Sequence, residues 1–313
     1  MMISVVDSPG RPDGALAVFD RHRRLLFSVA YQMLGSVADA EDTVQDAWLR
    51  WSAADRDDVA DPRAYLVQVT TRLAIDRSGS ARARRESYVG PWLPEPLLTG
   101  SDPVAAAPAP ADPAEAAELG EQVSLALLVV LETLSPAERA VFVLREVFGL
   151  PVAEVAAALG RSEAAVRQMA HRAREHVQAR RPRFDADRQE QQQITERFLA
   201  ACAGGDLGAL LSALAPDAVL ISDGGGKVSA ALRPIVGADK VARFALGIAA
   251  QGLALPDLRV EVVDVNGSAA IVVRTGDEAI MSMSLVVAEG RVEQVLVVRN
   301  PDKLTGLSVG SRG

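Results

Sequence analysis

Residues 150–177 read LPVAEVAAALGRSEAAVRQMAHRAREHV, and the spacing of their apolar positions decides what kind of protein this is. Val152, Val155, Ala156 and Leu159 recur at three- and four-residue intervals and make one face of a helix. Gly160 ends that helix, and Ser162 caps a second whose inner face is Val166, Met169 and Ala170. A short helix, a glycine turn and a capped second helix form a helix-turn-helix. Small Ala156 and Gly160 suit it, because the helices cross closely and the turn needs an unhindered backbone. Arg167, Gln168, His171, Arg172 and Arg174 are left on or beside the outer face. A paired-helix core built for packing alone does not require them there, whereas arginine and glutamine match guanine and adenine edges in the major groove. The second helix is therefore expected to read DNA.

Upstream, Ser135-Pro136 opens a helix with a cap and a proline start (SPAERAVFVLREVFG), and a further helix is expected over about 123–134. Residues 97–122 are dominated by alanine, proline and acidic groups, a composition that buries no core and reads as a flexible tether. Before it lie three helices. The first spans 15–34, and Gly35 breaks it. Ser36 caps the second, on which Val37, Ala40, Val44, Ala47, Trp48 and Trp51 form a buried stripe while Asp39, Asp42, Asp46 and Arg50 face outward. The third starts at Asp61-Pro62 and runs through RAYLVQVTTRLAIDR into SGSARARRE. YVGPWLPEP at 88–96 follows, and its three prolines prevent both a helix and a central strand. An extended strap carrying Tyr88 and Trp92 needs something to cover it, since exposed apolar area costs about 25 cal/mol per Å².

The net charge of −8 argues against a nucleic-acid partner until it is resolved along the chain. Residues 63–88 carry +4 and 136–183 carry +4, separated by 89–135, which hold seven acidic groups and no basic one. A polyanion meets charge within a Debye length of roughly 8 Å, so two basic blocks imply two separate nucleic-acid contacts. One cysteine and three histidines leave no multi-cysteine metal site and little for metal chemistry, and neither metal nor cofactor is expected. No apolar run approaches the ~20 residues of a membrane span and no signal pattern opens the chain, so a cytoplasmic protein without a membrane partner is expected.

From about residue 185 the pattern changes to a long helix (186–203), a short one (207–214), the strand AVLISD, a helix at about 238–250, and four β-rich runs separated by Asn-Gly, Gly-Asp and Glu-Gly turns. Helices followed by an antiparallel meander make an α+β domain. The expected divisions are 1–96, 97–122, 123–183 and 184–313: two all-α domains joined by a linker, then the α+β domain. DGGGK at 223–227 lacks the GxxxxGK[ST] phosphate-loop spacing and reads as a turn allowing close backbone approach. NPDKL at 300–304 reads as a turn, with Asp302 and Lys303 solvated unless something docks beside them.

With these pieces placed, the chain resembles the extracytoplasmic-function sigma factors of bacterial RNA polymerase. AEDTVQDAWLRW (40–51) is similar to that family's polymerase-binding helix, DPRAYLVQVTTRLAIDR (61–77) to its promoter-melting helix, and residues 134–177 to its second DNA-binding domain. YVGPWLPEP, DGGGK and NPDKL narrow the resemblance to the subgroup with a C-terminal SnoaL-like extension, a cone-shaped fold similar to nuclear transport factor 2. The resemblance implies that Asp42, Gln45 and Asp46 contact the polymerase core. It also implies that Tyr65, Arg72, Arg77, Arg82, Arg84 and Arg85 serve the melted upstream promoter element, and that Arg167, Gln168, His171 and Arg172 read the distant one. Arg72 departs from the family, many of whose members carry asparagine there. Tyr88, Trp92, Asp223, Lys227, Asn300, Asp302 and Lys303 are expected to form an interdomain regulatory contact, with the C-terminal domain covering the strap and modulating activity in cis.

The partners so implied are RNA polymerase core and promoter DNA, with no anti-sigma factor required and a small ligand in the C-terminal domain as a further candidate. The competing reading is a helix-turn-helix regulator whose C-terminal domain binds a ligand or keeps isomerase- or hydrolase-type activity. Residues 184–313 contain no histidine, which leaves Asp223 and Asp264 as its conceivable carboxylates. Catalysis is therefore not expected.

Overall fold

Several helices start at a side-chain cap. In the structure, a computed structural model describing residues 14–54, 59–99, 123–180 and 187–308, α1 (Ala15–Leu34) ends at Gly35, whose φ of 68° is the left-handed exit glycine provides. Ser36 then accepts the Asp39 amide to start α2 (Val37–Ala53), and Asp61 accepts the Ala64 amide to start α3 (Pro62–Glu86). The expected α2 stripe is inward, with Ala40, Val44, Ala47 and Trp51 buried and Trp48 partly so.

The second helical segment comprises α4 (Leu125–Leu131), α5 (Pro136–Phe142) with a π-helical turn at Val143–Val147, α6 (Val152–Leu159) and α7 (Glu163–Arg180). Ser135 and Glu138 form a reciprocal capping box at α5. Gly160, at φ 62°, makes the α6–α7 turn, and Val155, Ala156, Val166 and Ala170 close the helix-turn-helix core. One apolar core runs unbroken from α1–α3 through α5–α7. The two helical segments, expected as separate domains on a flexible tether, are thus packed as one body here. Most of the tether, residues 100–122, lies outside the described residues; its first three residues, Leu97, Leu98 and Thr99, are docked on the C-terminal domain rather than free.

The C-terminal domain lays α8 (Arg188–Gly204), α9 (Leu207–Ala213) and α10 (Ala238–Gly252) over a six-stranded sheet of order β2-β1-β6-β5-β4-β3. Its strands are β1 (Leu214–Asp223), β2 (Ile235–Val236), β3 (Leu258–Val265), β4 (Ser268–Thr275), β5 (Glu278–Ala288) and β6 (Arg291–Val298). β3 to β6 form the expected antiparallel meander, and Asn266-Gly267 and Glu289-Gly290 turn with positive φ at both residues, as tight hairpins require. Two features were not legible: β1 begins at Leu214 and pairs parallel to β6, and two-residue β2 extends the edge. Both are long-range pairings, which local alternation does not encode.

The sheet is buried on both faces. One side packs Leu220, Met281, Met283, Val295 and Val297 against Phe198, Leu210 and Val241 of its own helices. The other packs Val286, Leu296, Val298, Leu304 and Leu307 against strap residue Leu93 and against Leu125 and Ala126 of α4. Because Leu128, Val130 and Leu131 of α4 belong to the helical core, this helix is apolar all round, LALLVVL, and joins the two halves of the molecule. Leu93→Ala should therefore act on the joint itself. With Leu93 at 1% exposure, denaturant unfolding is expected to show a loss of about 2–5 kcal/mol, and scattering a larger radius of gyration.

Candidate functional site

The strap is the centre of the arrangement, and a buried carboxylate organises it. Asp223, at the end of β1, is wholly buried, and its backbone carbonyl already accepts the amides of Arg299 and Asn300. The Tyr88 hydroxyl donates to its Oδ1 at 2.6 Å, with the Gly225 amide at 3.1 Å on the same oxygen. Oδ2 accepts the Leu93 amide at 2.9 Å and Lys303 Nζ at 2.7 Å. Lys303 also donates to the Leu93 carbonyl at 2.6 Å and lies over the Trp92 ring, 4.2 Å from its centroid. Asn300 donates to the Tyr88 hydroxyl at 2.7 Å. Burial drives the Tyr88 hydroxyl well above the ordinary tyrosine range, and its bond to Asp223 adds to the shift, so it remains a donor.

DGGGK and NPDKL are thus one site. Gly225 and Gly226 have φ of 61° and 72°; a methyl on Gly225 would collide with the Asn300 amide and sit 3.0 Å from the Tyr88 hydroxyl, and one on Gly226 would press on Val89. The glycines serve close approach, as expected, and no phosphate loop is formed. Lys227 meets Asp302 at 2.5 Å in an exposed pair at the rim. Lys303, expected in solvent unless something docked there, is only 11% exposed because the strap is that partner.

Farther along, the strap is fastened to both halves. Glu95 receives the Val37 amide on Oε2 at 2.8 Å, while its own amide donates to the Gly35 carbonyl at 2.9 Å. Tyr31 donates to the Glu95 carbonyl at 2.6 Å and accepts from Asn266 Nδ2 at 2.7 Å. Asn266 and Leu97 exchange two further bonds, and the Thr99 amide donates to the Asp264 carbonyl. Glu95, Tyr31 and Asn266 were not singled out in the sequence. Asn266 carried a signal only as a turn residue, and the others look like ordinary helix and loop positions.

The charged faces are partly engaged with each other. On α2, Gln45 is exposed, Asp42 and Asp46 pair with Arg77 at 3.5 and 2.5 Å, and Asp39 holds Arg84 at 2.8 Å. Arg82 is exposed. Arg85 is turned inward instead: it binds Glu132 and, at 2.5 Å, the Leu34 carbonyl, and stacks over Trp92 at 3.7 Å. In this arrangement both of its terminal nitrogens are engaged inside the molecule. Tyr65 is half-buried, its ring centroid 5.8 Å from that of Trp51. Arg72 donates to the Ala158 carbonyl at 2.9 Å and to Ala157 at 3.3 Å, with Gln68 joining at 3.1 Å. It therefore caps the C-terminal end of α6, where free carbonyls and the helix dipole attract a cation. On α7, Arg167, Gln168, His171 and Arg172 are all exposed, with loose partners: Glu163 for Arg167, Glu175 at 3.5 Å for His171 and Glu138 at 3.9 Å for Arg172. Among the described residues no cluster could hold a metal ion, and no helix is long and apolar enough to cross a membrane.

Removing the carboxylate tests the lock, because it strands a buried cation. Asp223→Ala is expected to cost about 3–5 kcal/mol, read by denaturant unfolding, whereas the rim substitution Lys227→Ala should cost under about 1 kcal/mol. The lock should also respond to alkali. Burial lowers Lys303 from 10.5 to about 8, outweighing the attraction of Asp223. The undocked lysine then binds more protons across that window, so docking tightens as pH rises from about 8 towards 10.5 and is weakest below it. Melting temperature measured against pH should show this slope in the parent and lose it in Lys303→Met.

Three family models match the chain: sigma-70 region 2 over residues 18–85, sigma-70 region 4 over 124–177, and a SnoaL-like domain over 195–300. The ECF RNA polymerase sigma factor SigJ of Mycobacterium tuberculosis (strain ATCC 25618 / H37Rv) is 41% identical over 303 residues, 94% of this chain and 94% of that protein. The probable ECF RNA polymerase sigma factor SigI of the same species is 37% identical over 230 residues, 73% of this chain and 75% of that one. The crystal structure of M. tuberculosis SigJ matches with a TM-score of 0.71 at 38% identity, covering 93% of this chain and 98% of that one. With sigma-70 regions 2 and 4 in order and a SnoaL-like domain behind them, the chain belongs to the extracytoplasmic-function sigma factors of RNA polymerase.

Proposed function

We propose that this sigma factor, which acts with RNA polymerase on promoter DNA, is held in the arrangement described above by its own C-terminal domain, and that release of the strap regulates initiation. The observation that carries this reading is the strap itself: it leaves the promoter-melting helix directly, and Asp223, Lys303 and Asn266 of the C-terminal domain hold its side chains and backbone. Whatever moves that domain therefore moves the two DNA-binding segments. Control in cis needs no separate anti-sigma protein.

In this scheme Asp42, Gln45 and Asp46 dock on the polymerase core. Asp42 and Asp46 now hold Arg77, so their capture by polymerase frees that arginine for a phosphate. Exposed pairs of this kind contribute about 0–1 kcal/mol, which makes the exchange easy. Arg77, Arg82 and Arg84 then follow the backbone of the upstream element while Tyr65 stacks or packs beside the opened strand. Arg167, Gln168, His171 and Arg172, all on one exposed face, read the distant element in the major groove. Arg72 and Gln68 must leave α6 before the two segments can separate, and Arg85 must leave Glu132 before it can meet DNA. Joining two modest contacts through one chain raises their effective concentration, so neither needs to bind tightly alone.

A catalytic role for the C-terminal domain has little support. The Asp223 carboxylate faces the strap and is saturated by Tyr88, Leu93, Gly225 and Lys303, while Asp264 pairs with exposed Arg188 at 3.7 Å. Between the sheet and its helices the packing is apolar. On this reading the domain serves as a regulatory clamp.

Transcription from a cognate promoter with purified polymerase core tests the clamp, using the full chain, a chain ending after Arg299, and one ending at residue 184. The two truncations should differ from the full chain in opposite or graded fashion; equal activity of all three would reject cis control. Trp92→Ala should shift both the domain arrangement by scattering and the transcript yield, while Arg167→Ala with Arg172→Ala should abolish promoter preference without disturbing the arrangement.

A further inference from the structure

Beneath the strap, where α1, the end of α3, α4 and the start of α5 meet, lies a cavity of about 250 Å³. Its polar lining is Arg82, Arg85, Arg139 and Glu132, and Trp92 forms part of its wall. Three features of this lining do not balance internally. First, Glu132 is the carboxylate shared by both inner arginines, binding Arg85 through one oxygen and Arg139 through the other. Asp39, the next acidic group to influence Arg85, is already held by both of its oxygens on Arg84. Three guanidiniums thus face one carboxylate. Second, the Arg139 side chain is 6% exposed, with Nε on the Gln32 carbonyl and Nη1 on Glu132, while Nη2 is buried with no hydrogen-bond partner. Buried donors are nearly always satisfied, so a guanidinium nitrogen without an acceptor leaves the Arg139 cation under-compensated. Third, burial draws both inner arginines down to about 9 from 12.5, the signature of cations held out of water without enough opposite charge.

We propose that this cavity is a binding site for a small oxyanion, a phosphoryl or carboxylate group held by the positive charge of Arg82, Arg85 and Arg139 in its lining. Planar guanidinium forks match such groups in two-point fashion, and the shared chemistry of phosphate and carboxylate is what three arginines select. The volume admits a metabolite-sized anion, and the strap, α3 and α4 all contribute to its wall. The site is distinct from the Asp223 lock and from the apolar interior of the sheet domain. It joins the promoter-melting helix, through Arg82 and Arg85, to the first turns of the second DNA-binding segment, through Glu132 and Arg139. An anion bound there would hold both segments together and make the closed arrangement sensitive to a soluble ligand.

Calorimetric titration of the full chain with orthophosphate and, separately, succinate, against chloride at matched ionic strength, tests the site. Saturable binding of at least one anion is expected, and the arm that binds tells phosphoryl from carboxylate. Arg82→Ala, at an exposed position, should weaken it roughly tenfold, and Glu132→Gln, which keeps hydrogen-bonding capacity but removes the competing carboxylate, should strengthen it by a similar factor. Circular dichroism of each variant shows that the fold persists. Binding of neither anion to the parent or to Glu132→Gln would mean that the cavity holds water only and would overturn the proposal. So would binding that both substitutions leave unchanged.

Discussion

A carboxylate with no access to water must be neutralised where it stands, and that constraint at Asp223 organises the molecule. Its companions come from three separate stretches: Tyr88 and the Leu93 amide from the strap, Gly225 from the loop after β1, and Lys303 from the turn after β6. Lys303 is the cation among them, and its departure leaves the carboxylate unpaired in a low-dielectric place, while loss of Tyr88 or either amide removes a charge-assisted hydrogen bond. The lock therefore favours two states, docked or fully undocked, over a continuum of loosened ones. That property suits a regulator better than it suits a mere spacer.

The lock also explains why the strap has its composition. Pro91, Pro94 and Pro96 keep it extended and bring no amide that needs an acceptor, while its other amides donate to specific partners: Leu93 to Asp223, Glu95 to Gly35, Leu97 to Asn266. The aromatic side chains that looked too apolar for a linker are covered by cations. Arg85 and Lys303 both lie over Trp92, and Lys303 lies 4.9 Å from the Tyr88 centroid. Charge supplied by two different domains thus converges on one tryptophan.

Packing of the two DNA-binding segments has a second consequence for their charges. Several arginines that a polyanion would attract are occupied by internal carboxylates or by helix-end carbonyls: Arg77 and Arg84 on α2, Arg85 on Glu132, Arg72 on α6. The α7 face keeps Arg167, Gln168, His171 and Arg172 exposed. The structure accordingly leaves the α7 cations outward while holding much of the α3 charge against internal partners. Exchange of surface pairs is cheap in free energy, whereas breaking the buried Arg85–Glu132–Arg139 group is not.

Local patterns in the sequence determined a good deal. Caps at Ser36, Asp61 and Ser135, the Gly160 turn, the alternating runs of the meander and the outward α7 residues all follow from interactions within a few residues, so their positions were legible before any folding was known. The need for a cover over the strap followed from its prolines and aromatic residues, whereas only the family resemblance linked YVGPWLPEP with DGGGK and NPDKL. Only the tertiary structure decided what those motifs do to one another. The parallel pairing of β1 with β6, the docking of Leu97–Thr99, the two-sided burial of α4, the inward turn of Arg85 and the orphaned Nη2 of Arg139 all depend on partners dozens to hundreds of residues away. A charged residue has the same local signature whether it ends in solvent or in a core. Its fate is set by which distant group reaches it, and that is a property of the fold.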